Sequence, residues 1–157
     1  MIDKFNGIIY LIIFLVHFIG LGVYAFQLII GTKKFREKFQ IDETASTMMR
    51  MSGALFLGAV LMAIYIMFVR PGGVEGTWGF FNLVFVQNLC IFLVNTYSIK
   101  IDKTGIKNDS NEGVIAPLVF TILSAILCYG LADKIYILFK LIFSKTLSAV
   151  SFVKSLT

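Results

Sequence analysis

The chain has 157 residues, 58% of them apolar and only 15% charged, with a formal net charge of +5 and a mean hydropathy of +0.88. That composition excludes an ordinary soluble domain and leaves room for four or five membrane-crossing helices of about 20 residues, with no extramembrane domain able to fold by itself. The basic residues stand at the ends of apolar runs, where they meet lipid headgroups, so the positive balance argues for membrane anchoring and against nucleic acid.

From Gly7 to Ile30 there is no charge. The run is too long for a signal-peptide core and lacks a small-residue cleavage site, so it predicts a retained first span over about 7–30. Spacings of seven, three, four and three residues put Tyr10, His17, Gly20, Tyr24 and Gln27 on one polar stripe of that helix. The basic segment that follows contains FREKFQI, which predicts a short amphipathic helix laying Phe35, Phe39 and Ile41 toward the bilayer.

The second span is predicted over about 51–69 and ends at Arg70-Pro71-Gly72-Gly73, where the chain must turn. Small-xxx-small spacing, Ala54–Gly58 and Ala59–Ala63, predicts close helix packing through Gly53, Ala54, Gly58, Ala59 and Ala63, with these faces pointing inward. Trp78 opens a third span over about 77–99, an indole being expected at headgroup level. This span carries the side-chain amides Gln87, Asn88 and Asn95, which hydrocarbon cannot solvate. They therefore turn toward the bundle, either to bond His17, Gln27 or hydroxyls of other spans or to line a small polar cavity between spans one and three.

After the polar loop KIDKTGIKNDSNEG, the fourth span is predicted over about 113–132, with Pro117 in its first turn and Thr121, Ser124 and Cys128 aligned on one face. The tail over about 135–155 alternates serines and apolar residues at helical spacing, as an amphipathic helix in the membrane plane does. A fifth span there would bury Lys140 and Lys145 at about 2.5–3.5 kcal/mol each near the bilayer centre. The expected fold is thus a single all-α integral membrane domain over residues 1–157, a four-transmembrane-helix bundle with a C-terminal amphipathic interfacial helix.

Lys and Arg concentrate in the first and third loops (Lys33, Lys34, Arg36, Lys38, Arg50, Lys100, Lys103 and Lys107), against Lys4 and Arg70 opposite, which places both termini outside the cytoplasm. Lys134, Lys140, Lys145 and Lys154 in the tail pull the other way.

All nine carboxylates lie in loops or at span ends, so no intramembrane acid is available for proton coupling. One histidine and two separated cysteines supply no metal site, and no hydrolase or phosphate-loop motif is present. An enzyme acting on a lipid or quinone would have to use loop residues such as Asp42, Glu43 and Arg50, which no motif supports. No cofactor is expected. The leading expectation is a non-catalytic polytopic protein, an accessory or self-associating subunit of a membrane complex whose partners are the lipid bilayer and other membrane subunits or a second copy. The alternative is a small transporter, channel or lipid/small-molecule binding protein whose polar cavity uses His17, Tyr24, Gln27, Asn88 and Asn95.

The layout of a long first span, a short amphipathic connection and then TASTMMRMSGALFLGAVLMAIYI resembles small four-span bacterial inner-membrane proteins of the DoxX-like type. In these an R-x-x-G-x-x-x-x-G pattern, here Arg50, Gly53 and Gly58, opens the second helix. The resemblance implies a multi-pass protein of the bacterial cytoplasmic membrane, in a group sometimes found as subunits of membrane redox systems, and it carries over no catalytic residue.

Overall fold

The computed structural model describes residues 2–103 and 111–137, and among them the chain is helical with no strand. After a short 3-10 turn at Ile2–Phe5, α1 runs over Ile8–Ile29 and α2 over Thr32–Phe39. Helix α3 covers Ser46–Ile64 and continues through a wide π-helical turn, Tyr65–Val69. Helix α4 covers Trp78–Thr96 and widens likewise at Tyr97–Asp102. Helix α5 spans Glu112–Gly130, and the short α6 spans Ala132–Ile135. Four of these segments are long and apolar enough to cross a membrane. The expected amphipathic tail lies, from residue 138 onward, outside the described residues, as does the middle of the polar loop.

Local chemistry sets the boundaries. The Thr32 hydroxyl donates to the carbonyls of Leu28 and Ile29 at 2.6 and 3.0 Å, closing the end of α1 while opening α2. Helix α2 stops where Gln40 takes a left-handed conformation, φ 53°, and the Ile41 N–H returns to the Arg36 carbonyl. Asp42 then accepts from the Thr44 N–H at 2.9 Å, starting the turn that leads into α3. This is why α3 begins earlier than its apolar run: the helix continues from the Asp42-capped 3-10 turn Glu43–Ala45, whereas the run is bounded by the exposed Arg50.

Helix α1 is the centre of the bundle. It packs along α3 on one side and α5 on another, and α4 packs along α5. Its aromatic face reaches α4: Phe14 lies 4.8 Å from Phe5, 4.6 Å from Phe18 and 6.2 Å from Phe81, and Phe18 stacks on Phe80 at 5.6 Å. Such ring pairs add about 0.5–1.5 kcal/mol each beyond area burial.

The small residues of α3 divide between two faces. Gly53 meets α1 so closely that an added Cβ would stand 2.7 Å from Ile29 Cγ1, and Ala63 is buried beside it, while Ala59 is half-buried. Ala54 and Gly58 are exposed, with nothing within 4 Å of where a Gly58 side chain would sit. The expectation that the whole stripe points inward is corrected: positions 54 and 58 lie nearly half a turn, about 100–180°, away from 53, 56 and 63. The remaining outer faces are apolar, with Ile9, Ile19, Phe26, Leu55, Leu83 and Val94 all exposed.

One end of the bundle is closed. Phe5, Val74, Leu131 and Ile135 are fully buried against one another's elements. Hydrogen bonds tie the same end together: Lys4 Nζ to the Arg70 carbonyl, Asn6 Nδ2 to the Gly130 carbonyl, the Gly76 N–H to the Lys134 carbonyl, and the Tyr136 hydroxyl to Asn82 Oδ1 at 2.8 Å. The Tyr10 ring lies where a side chain at Gly130 would be, so only glycine permits that approach.

Candidate functional site

A polar knot occupies the interior where α1, α4 and α5 meet. The Asn88 amide nitrogen lies 3.0 Å from His17 Nε2 and 3.4 Å from Ser124 Oγ. His17, Asn88 and Ser124 are all buried. Ser124 donates its hydroxyl to its own helix, 2.8 Å from the Phe120 carbonyl and 3.0 Å from that of Thr121, so its oxygen is left to accept from Asn88. Asn88 thus directs its amide nitrogen to both His17 Nε2 and Ser124 Oγ and joins the three helices. The rings of Phe18 and Phe120 meet the imidazole edge-on at 4.8 and 5.5 Å and wall it in.

Toward the α2 end the helices part around a cavity of about 240 Å³. Tyr24 and Gln27 of α1, Asn95 and Ile99 of α4, and Glu112, Ala116 and Pro117 of α5 frame it, while Phe35, Phe39 and Ile41 cover it. The expectation that these last three face lipid is corrected. All are half-buried, and Phe35 meets the Tyr24 ring edge-on at 5.7 Å. Amphipathicity marks the apolar face of α2, and the partner it covers turns out to be the bundle's own opening. Helix α2 is fastened across that opening by Lys38, whose Nζ lies 2.6 Å from Glu112 Oε1.

A narrower space of about 20 Å³, lined by Leu21, Tyr24, Phe56, Asn88 and Phe120 among others, continues inward. It shares Tyr24, Ala116 and Pro117 with the larger cavity. The residues expected on one polar surface are therefore divided. Tyr24, Gln27 and Asn95 line the cavity; His17, Asn88 and Ser124 form a packed knot beneath it; Thr121 is buried and back-bonds to the Pro117 carbonyl at 2.8 Å. Gln87 is half-buried beside Asn88 and outside this network.

The expectation of Pro117 in the first turn of its helix is corrected: it stands in the second, because α5 already starts at Glu112. It leaves the Gly113 carbonyl without its helical N–H, and Asn95 Nδ2 donates to that carbonyl at 2.9 Å. Reading the sequence alone misses Glu112, which looks like an ordinary span-end acid, and the covering role of α2. The available signal for α2 is that its apolar positions follow the polar stripe of α1 after only a two-residue break.

Among the described residues, no three His, Cys, Asp or Glu side chains converge on a point. No family model, curated protein or solved structure matches the chain.

Proposed function

We propose that this chain is a multi-pass protein of a bacterial cytoplasmic membrane that holds a small amphipathic molecule, without catalysing its conversion, in the cavity beneath α2. The resemblance to DoxX-like proteins and the basic first and third loops support that membrane and an orientation with the termini outside. The apolar outer faces fit lipid as solvent, and helices are the segments whose backbone groups need no water there.

The observation that carries the ligand reading is the cavity itself. It is concave and mostly apolar, with a few polar groups, Tyr24, Gln27, Asn95 and Glu112, the composition of small-molecule sites. Its test is binding of the neutral fluorescent amphiphile N-phenyl-1-naphthylamine to purified protein in detergent and in nanodiscs. Saturable binding at one site, abolished by Ala116→Phe, is the expected result; a signal that Ala116→Phe leaves untouched removes the cavity from consideration.

A second reading, an accessory or self-associating subunit, is favoured by one specific feature. Ala54 and Gly58 form an exposed small-residue face with open space at Gly58, the kind of surface on which a second membrane helix packs. Crosslinking of Gly58→Cys in native membranes tests it, and recovery of monomer alone speaks against it.

A further inference from the structure

Beside the cavity lies a second recess of about 260 Å³, lined by Phe26, Gln27, Gly31, Lys34, Phe35 and Lys38. It shares Gln27 and Phe35 with the cavity of about 240 Å³. The two spaces therefore share the wall formed by Gln27 and Phe35, and their volumes taken together reach the size of small-molecule sites, about 300–1,000 Å³. Their chemistries differ. The inner space is walled mainly by apolar groups, among them Phe35, Phe39, Ile99 and Pro117, with Glu112 its one acidic lining residue. The outer one carries two ammonium groups four residues apart on α2, a spacing that puts both on the same side of the helix.

We infer that the site takes an acidic amphiphile, its anionic headgroup held between Lys34 and Lys38 and its chain passing Phe35 into the apolar space in front of Ala116. This rests on the reading of the cavity as a ligand site and adds the class of ligand. The charge balance carries it. Lys38 is neutralised by Glu112 at 2.6 Å, and Lys34 makes no ion pair among the described residues, so the recess holds one uncompensated positive charge beside apolar walls.

A cationic headgroup has nothing to meet there. Among the described residues the only lining carboxylate is the one engaged by Lys38, and the Phe39 ring already carries Lys38 at 5.1 Å from its centroid. A carboxylate or phosphate finds Lys34, Lys38 and the Gln27 amide as donors, and charge-assisted bonds to such groups are the stronger kind. Lysines at a membrane surface attract acidic lipid without any cavity. What separates the two situations is the chain: a bound amphiphile is immobilised inside the bundle, and an annular lipid is not.

A fatty acid and an acidic phospholipid share this chemistry, and the experiment distinguishes them. The full-length protein is reconstituted in phosphatidylcholine vesicles containing stearic acid, phosphatidylglycerol or phosphatidylcholine, each spin-labelled near the chain terminus, and the immobilised fraction is read by electron paramagnetic resonance. The expected result is one immobilised chain per protein from stearic acid, phosphatidylglycerol or both, and none from phosphatidylcholine. Lys34→Glu, which leaves the Lys38–Glu112 pair intact, should weaken that binding about tenfold or more. Ala116→Phe should abolish it; if that variant does not accumulate, Ile41→Trp fills the same space from the α2 side.

Immobilisation that is equal for phosphatidylcholine, or indifferent to Lys34→Glu, overturns the acidic headgroup while leaving the cavity reading standing, provided the filling variant still abolishes it. An immobilised component that survives filling overturns both.

Discussion

Asn95 supplies the hydrogen bond that Pro117 withholds. Its side-chain amide donates at 2.9 Å to the carbonyl of Gly113, four residues before the proline and so deprived of a helical donor. An amide on one helix and a ring on another thus form a single device, and α4 is pinned to α5 at the height of the cavity.

The pairing predicts a coupled effect. Asn95→Leu strands that carbonyl and should cost about 1 kcal/mol, in the range of interhelical hydrogen bonds. Pro117→Ala restores an N–H for Gly113, so in that background Asn95→Leu should cost little. A double-mutant cycle from unfolding in mixed micelles checks this, and equal penalties in both backgrounds would refute the pairing.

Asn88 is the hub of the buried knot, and Gln87 stands outside it. Asn88→Leu leaves His17 Nε2 and Ser124 Oγ without their donor, and it should lower stability by about 1–3 kcal/mol, more than Gln87→Leu does. Thermal unfolding of the two variants side by side gives the comparison, and the reverse order would count against the network.

Two glycines in one helix should behave in opposite ways. Gly53→Ala forces a Cβ to 2.7 Å from Ile29 and 2.9 Å from Leu28 Cβ, so it should destabilise by about 1–3 kcal/mol through overpacking. Gly58→Ala adds a methyl group to open space, and it should be neutral or stabilising by about 0.5–1 kcal/mol through helix propensity. Loss of stability at Gly58 in the isolated monomer would show a contact that the bundle does not contain.

The proposed orientation predicts labelling. With Cys90 and Cys128 replaced by alanine, Glu75→Cys should react with a membrane-impermeant maleimide on intact cells. Lys33→Cys should react only after permeabilisation. The opposite pattern inverts the topology.

Much of the architecture is legible from residues alone, because apolar runs of membrane length have few other uses. The four runs correspond to α1, α3, α4 and α5. That Asn88 turns inward also follows, since an amide needs a partner, yet its choice of His17 and Ser124 depends on how three helices rotate, which periodicity leaves open. The spacing of Ala54 and Gly58 says that they share a face and does not say which face. For Phe35, Phe39 and Ile41 an apolar stripe on a short helix is visible, but lipid and a bundle mouth are equally apolar coverings. Asn95 was legible as an amide in need of a partner. That its partner is a backbone carbonyl follows only once Pro117 is placed in the second turn.

The buried contacts among Phe5, Val74, Leu131 and Ile135 make the bundle a well rather than a pipe. On the proposed reading, a ligand in this conformation enters and leaves past α2, on the side away from these four residues. On that reading the Lys38–Glu112 pair, which holds α2 over the opening, is the contact whose weakening should speed loading and escape alike.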